Sequence, residues 1–504
     1  QNGRDDAMQM PEPSQAIMNQ REALAVALRQ IVGQEWVISD EAERRPYQCD
    51  GITAYMAMPL LVVLPGSAAE VQQILRFCHE RGVKVVPRGS GTSLSGGALP
   101  LEDGILLVTS RLCNVLEVDA PNRVARVQPG VPNIKISEAV QHLGLCYMPD
   151  PSSQLISTIG GNVAENAGGV HCLKYGVTAN HILGLEAVLM TGEIIRLGGA
   201  YLGAAEGEMD LMGVLTGSEG LLAMVTEIAV RLEPVPEVAR VISMSFPSVE
   251  KACACVGAIV GAGIIPAGLE FMDRKVLDAV SVLIRETFDS NTAALLLCEL
   301  DGTAVEVDAL VDVVSDVARN QGAIETKVST TEEERQRIWS SRKLAFSAIG
   351  KLCPDYYCTD GTIPRNKLPE VLNKMADMSV KYGLDYANCF HAGDGNLHPI
   401  IMYDAAKPGD LEKAEAFGAD VLIACVDAGG VLSGEHGVGV EKRDLMTHQF
   451  TDIDLNQQQM VKCAFDPAEL LNPGKVFPTA CRCAEFGRMH VRNGAVRFPD
   501  IPRF

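Results

Sequence analysis

Residues 87–97 read Pro87-Arg88-Gly89-Ser90-Gly91-Thr92-Ser93-Leu94-Ser95-Gly96-Gly97, directly after a strand–helix–strand pattern. Upstream, the apolar run Leu60-Leu61-Val62-Val63-Leu64 closes at Pro65 and reads as a buried strand. Ser67-Ala68-Ala69-Glu70 supplies a capping box for a helix that stops near Gly82, and Val83-Lys84-Val85-Val86 is the second strand. A Rossmann dinucleotide turn needs a helix N-terminus under the pyrophosphate and an acidic residue for the ribose further on. Neither follows here. Residues 98–104 lead instead into a further strand, Ile105-Leu106-Leu107-Val108. What remains is either an ordinary glycine-rich turn or a nest of backbone N–H groups able to cradle a diphosphate.

Two similar runs lie downstream. An alternating strand at 124–127 and a helix over 132–143 precede Pro149-Asp150-Pro151-Ser152-Ser153. Residues 159–169, Ile159-Gly160-Gly161-Asn162-Val163-Ala164-Glu165-Asn166-Ala167-Gly168-Gly169, hold four glycines and two asparagines. Such composition lets backbone approach a large ligand where side chains would clash. A third run, Leu215-Thr216-Gly217-Ser218-Glu219-Gly220, precedes a strand at 228–232. Three small-residue runs in one domain predict an extended, phosphate-bearing cofactor held mostly by backbone.

Pro234 and Pro236 mark a boundary. Strand 241–246, helix 249–261, strand 294–300, helix 305–321, residues 356–362 and helix 368–382 predict an α+β domain, its helices on one face of a mostly antiparallel sheet. Strands at 384–390 and 399–403 flank His391-Ala392-Gly393-Asp394-Gly395-Asn396-Leu397-His398. A hairpin turning at 392–395 sets His391 opposite Asn396, with His398 on the same face about 7 Å away. Glu435, in Ser433-Gly434-Glu435-His436-Gly437, would complete a His-His-carboxylate set for a divalent metal with open positions. The spacing is not that of a helical zinc-protease motif. The same residues also fit a hairpin with two hydrogen-bonded histidines and an unrelated glutamate. Helices are expected at 17–32, 411–428 and 456–464. The tail from Cys481 carries no assignable role.

The 504 residues carry a formal net charge of -21, which argues against nucleic acid or an anionic membrane surface as the main partner. Fifteen cysteines include no C-x-x-C run, so no iron–sulfur cluster is expected in this chain. They read as buried small hydrophobes in a reducing cytoplasm. No apolar run is long enough to span a membrane and the polar start does not read as a signal peptide, so membrane association is expected only through a partner.

Taken in order, PRGSGTSLSGG, DPSS, IGGNVAENAGG, LTGSEG, HAGDGNLH, SGEHGVG and LNPGK resemble the FAD-linked 2-hydroxyacid dehydrogenases of the vanillyl-alcohol-oxidase superfamily. The likeness runs from about residue 45 to the end and is nearest to the flavin-bearing catalytic subunits of bacterial glycolate oxidases. It implies an α+β chain: a lead-in over 1–55, a two-part PCMH-type FAD-binding domain over 56–235, a cap over 236–410, and a returning helical segment over 411–504. By motif, Arg88, Gly89, Ser90, Gly91, Thr92, Ser95 and Gly96 would hold the pyrophosphate of non-covalent FAD. Pro151, Ser152, Gly160, Gly161, Asn162, Ala167 and Gly168 would line the flavin and ribityl chain. Glu219, Gly220, Asn472 and Lys475 would complete that site. His391, His398 and Glu435 fall on the family's metal ligands (zinc, manganese or iron), His436 on its base, and Arg342 on its substrate-carboxylate arginine.

Relatives acting on hydroxyglutarate have a lysine where this chain has Cys358 and an asparagine where it has Ile400, which favours a small monocarboxylate, glycolate or D-lactate. The first glycine loop lacks the histidine through which some members of the superfamily bind FAD covalently. The resemblance also implies one flavin-related and one iron–sulfur companion subunit. Other classes compatible with parts of the chain are a metal-dependent hydrolase using the histidine cluster and a non-catalytic electron-relay flavoprotein.

Overall fold

The computed structural model describes residues 10–199 and 209–478, together with the backbone of 491–492 and 495–496. The strand–helix–strand reading becomes a small sheet in which Leu61–Val63, Gly104–Val108 and Lys84–Arg88 run parallel, with Val37–Ile38 antiparallel at one edge. Its strands read as continuous apolar runs because both faces are buried. Val63, Val85, Ile105 and Leu107 pack under the helices Arg21–Val32 and Ala68–Arg81, while Val62, Val86 and Leu106 face the other way. Ser67 Oγ caps the second helix through Glu70 N–H at 3.2 Å, Glu70 Oε2 accepts from Gly66 N–H at 2.7 Å, and Gly82 ends it at φ 65°. The helix expected over 17–32 is broken into Gln15–Met18 and Arg21–Val32.

The second half of the domain is a five-stranded antiparallel sheet in the order Val115–Asp119, Val124–Val127, Met224–Arg231, Ile182–Val188, Ile194–Gly198. The second small-residue run is not loop throughout. Ile159–Glu165 forms a short helix that Asn166 ends in the left-handed region, φ 53°. Gly160 lets its first turn rest on Pro129, since a Cβ there would lie 2.9 Å from the Pro129 carbonyl oxygen.

The cap is built on one large antiparallel sheet. Its order is Glu325–Val328, Val238–Phe246, Ala294–Gly302, Gly268–Asp273, Tyr386–His391, Asn396–Leu397, Gly361–Thr362, and Pro399–Tyr403 pairs with both Tyr386–His391 and Asp355–Cys358. Helices cover both faces rather than the single face expected from sequence. Val249–Gly261, Ala304–Asn320, Leu368–Tyr382 and Asp410–Asp427 pack one side; Arg274–Ile284, Glu332–Lys343 and Ala345–Ile349 pack the other. Glu332–Lys343 is almost wholly polar and gives no amphipathic signal, because apart from Ile338 and Trp339 it is seated through ion pairs. No helix among the described residues is long and apolar enough to cross a membrane.

At the centre of the sheet Phe271 and Phe390 are directly paired and stacked, ring centroids 4.7 Å apart. Both are buried. Phe390→Ala should destabilise the cap by about 3–5 kcal/mol, read as a lower denaturant midpoint by circular dichroism.

Candidate active site

Strand register assembles the histidine cluster. The expected pairing of His391 with Asn396 is present, and on the other side His391 lies directly opposite Glu270. Directly opposed residues share a sheet face, so His391 Nδ1 meets Glu270 Oε1 at 2.7 Å. That contact leaves Nε2 pointing at Glu435 Oε1, 3.5 Å away, while His398 Nε2 is 3.2 Å from the same oxygen. The two histidine rings are 5.0 Å apart, and His398 Nε2 is buried with no hydrogen-bond partner. Two imidazole nitrogens and one carboxylate oxygen therefore converge within 4.8 Å, a donor set that suits a divalent cation.

Glu270 Oε2 takes the Nε–H of Arg342 at 2.7 Å. Burial opposes the Glu270 charge, but His391 and Arg342 outweigh it and hold the carboxyl below its ordinary range.

Glu435 and His436 reach the hairpin because of Asp360, a fully buried residue between two cap strands. Its Oδ2 accepts from the backbone N–H of Gly434 at 2.9 Å, Glu435 at 2.7 Å and His436 at 2.9 Å. Ser433 Oγ and the Lys442 ammonium bind its other oxygen. Burial works against this charge, yet His436, Lys442 and His398 hold the carboxyl down at about 2. A Cβ at Gly434 would lie 2.6 Å from Thr362 Oγ1, so only glycine lets the loop settle on the cap strand. The His436 ring stacks on His398, centroids 4.9 Å apart and 16° from parallel. Burial lowers its pKa to about 4, although Asp360 pulls the other way, leaving a neutral imidazole with Nδ1 unpartnered at neutral pH. Asp360, His398 and His436 also converge, but the Asp360 oxygens are already occupied by the loop amides and Lys442, so the first cluster is the better cation site.

A single cleft joins this cluster to the glycine runs. Its walls include Arg88, Gly89, Ser90, Gly91, Thr92, Pro151, Ser152, Gly160, Gly161, Asn162, Ala167, Gly168, Glu219 and Gly220, and Glu435 and His436 line it too. Among the described residues, no backbone N–H from Ser90 to Leu94 donates to a backbone carbonyl. Ser157 Oγ, Thr158 Oγ1 and Asn162 Nδ2, also on the wall, are buried without partners. Free amides and orphaned polar atoms along a cleft of small residues fit a long, acceptor-rich ligand such as a flavin dinucleotide. Arg88 stands at the loop with Nη1 donating to the Cys49 carbonyl at 2.7 Å. Burial pushes the nearby Cys172 thiol up, so it is no nucleophile at neutral pH.

Seven residues expected at the site are not on the cleft wall. His391 and His398 are buried, and they meet the cleft only through Glu435. Ser95, Gly96, Asn472 and Lys475 are buried behind the first glycine loop. Asn472 Nδ2 donates to the Glu219 carbonyl at 2.8 Å, Lys475 Nζ to the Gly97 and Leu99 carbonyls at 2.8 and 2.7 Å, and Val440 N–H to the Ser95 carbonyl at 2.8 Å. They brace the loop and the Glu435 segment against each other. Arg342 is the seventh; its two Nη groups make no hydrogen bond among the described residues. Two residues were missed from sequence. Glu270 could have been noticed as a lone charge inside the apolar run 266–272, whereas Asp360 precedes a glycine and looks like turn chemistry.

Asp360→Asn should cost about 3–5 kcal/mol, because it leaves Lys442 buried without its counter-ion. A carboxyl lowered from 3.8 to about 2 contributes stability above 3.8 that is lost as pH falls through 2. The stability gap between wild type and variant, measured by urea denaturation, should therefore narrow over that window.

Comparison with known proteins agrees with this architecture. Residues 59–198 match the FAD binding domain and residues 235–476 the C-terminal domain of FAD linked oxidases. The chain is 49% identical to glycolate oxidase subunit GlcD of Escherichia coli strain K12 over 484 residues, covering 96% of this chain and 97% of that one. It is 35% identical to a D-lactate dehydrogenase of Archaeoglobus fulgidus, covering 82% and 91%. The solved 4-ethylphenol oxidase from Gulosibacter chungangensis superposes with a TM-score of 0.77 at 19% identity, covering 94% of this chain and 100% of that one, which shows the shared fold. Identity at the first of these levels, along nearly the whole of both chains, makes this protein a member of the FAD-linked oxidase family.

Proposed function

We propose that this chain oxidises a small 2-hydroxy monocarboxylate with FAD as the two-electron acceptor, glycolate to glyoxylate first and D-lactate to pyruvate second. The observation that carries this reading is the continuity of the cleft: one cavity is walled by the unpaired amides of the first glycine loop and also by Glu435 and His436. Similarity to GlcD and to D-lactate dehydrogenases supports the substrate class. When bound, FAD supplies the hydride acceptor, and a divalent cation on His391, His398 and Glu435 supplies Lewis-acid polarisation of the hydroxyl.

The remaining work falls to this chain's residues. Ser90 to Leu94 N–H groups would hold the diphosphate, and the small residues at 160–168 would admit the ring system close to Glu435 and His436. Arg342, held by Glu270, would present its Nη groups to the substrate carboxylate and fix which C2 hydrogen faces the cleft. His436 would take the hydroxyl proton as general base. Cys358 and Ile400, paired across adjacent strands and both buried, offer no charge for a second carboxylate.

The chain carries no iron–sulfur motif, so electrons would leave through a flavin-related and an iron–sulfur companion subunit of a cytoplasmic assembly. A hydrolase using only the histidine cluster would leave the amide-lined cleft without purpose, and an electron relay would need no such cluster.

Dye-linked turnover with glycolate, D-lactate and D-2-hydroxyglutarate tests the reading. The first two should be oxidised and the dicarboxylate poorly; the reverse order would overturn the substrate class. His436→Ala should lower kcat by roughly 10²–10⁴-fold while FAD and cation stay bound, as read by absorbance and metal analysis. Without a cation, Glu270 and Glu435 overcome the opposing effect of burial and raise the His391 pKa well above its ordinary value. A cation must displace that proton, so calorimetric affinity for zinc or manganese should rise with pH.

A further inference from the structure

Residues 168–175 leave the second glycine run and cross from the cleft wall to the cap. Leu173 meets the metal hairpin at Gly393, where a Cβ would lie 2.6 Å from Leu173 Cδ2. His171 has both ring nitrogens against carboxylates: Nδ1 is 2.7 Å from Asp150 Oδ2, and Nε2 is 3.0 Å from Glu299 Oε1. A neutral imidazole donates only once, so this arrangement calls for an imidazolium. Asp150 and Glu299, against the opposing effect of burial, do raise its pKa well above the ordinary value.

The two carboxylates belong to different parts of the molecule. Asp150 begins Asp150-Pro151-Ser152, whose last two residues line the cleft. Glu299 stands in the cap sheet, where its second oxygen accepts from Arg335 Nη1 at 2.9 Å and from the Trp339 indole N–H. Arg335 and Trp339 are one turn apart on Glu332–Lys343, and Arg342 follows three residues later on the same face. Gly268 pairs directly with Glu299, so Glu270, two residues on, shares its face of the sheet. This polar helix is therefore seated on two buried carboxylates, Glu299 near its middle and Glu270 at its C-terminal end.

We propose that His171 is a positioning residue: as the cation between Asp150 and Glu299, it sets how far the Arg342 helix stands from the cleft wall at Pro151-Ser152. The inference rests on the reading of Arg342 as the group that binds the substrate carboxylate. Deleting this bridge leaves two carboxylates facing each other across the junction, and Arg342 shifts away from the bound acid.

The test is a coupling experiment on the FAD-loaded protein that needs no turnover. Oxalate, a planar two-carbon dianion, is titrated while its perturbation of the flavin absorbance is followed. His171→Gln should weaken oxalate roughly tenfold in the parent, and by less than about twofold in an Arg342→Met background, with FAD content unchanged. Arg335→Gln, which loosens the same helix without touching the flavin domain, should behave alike and serves if the His171 variant does not fold. Equal weakening in both backgrounds, or none in either, overturns the positioning role. Oxalate binding to Arg342→Met as tightly as to the parent would instead refute the carboxylate role of Arg342, and the proposal with it.

Discussion

The buried carboxylate of Asp360 is the constraint on which the site depends. It sits between two cap strands and gathers three consecutive amides of the Ser433–His436 loop. An aspartate can do this only if its charge survives burial. Lys442, itself fully buried, and the three donated amides provide the compensation. Once the loop is fixed, Glu435 Oε1 falls between two histidines and His436 falls on the ring of His398. The cluster is thus the meeting of a hairpin whose register places His391 and His398 with a loop that one carboxylate holds in place.

The same logic extends outward in pairs. Glu270 faces His391 across the sheet and holds Arg342 with its other oxygen. Glu219 on the cleft wall, with Asn472 and Lys475 behind the first glycine loop, ties the amide-lined turn to the Glu435 segment through backbone groups. Charges buried this deeply are costly unless paired, and each here is paired with a group belonging to a distant stretch of chain. Long-range ion pairs and charge-assisted hydrogen bonds to distant backbone therefore join these segments, and they fix direction as well as distance.

Much of this was legible in the sequence because the responsible features are local. The missing helix after Gly97 excluded a Rossmann turn, and the alternation around 391–398 gave the hairpin and the pairing of His391 with Asn396. The long amphipathic helices Val249–Gly261 and Leu368–Tyr382 follow from periodicity alone. What could not be read is what depends on register between distant strands. Glu270 acquires its position only when Gly268–Asp273 lies beside Tyr386–His391, and Asp360 only when a loop some seventy residues later folds over it. The helix bearing Arg342 escaped notice for a related reason, since apart from Ile338 and Trp339 it is seated on the sheet by charged groups. Asn472 and Lys475 were expected at the cofactor and instead stand behind its loop, a distinction that no local pattern encodes.

The most direct measurement is anaerobic titration of the FAD- and cation-loaded protein with glycolate, following the visible flavin band. The account predicts that the band bleaches in a single two-electron step at one equivalent, and that D-lactate bleaches it more slowly. A band that stays unchanged under both acids, with FAD and cation verified in place, would contradict it.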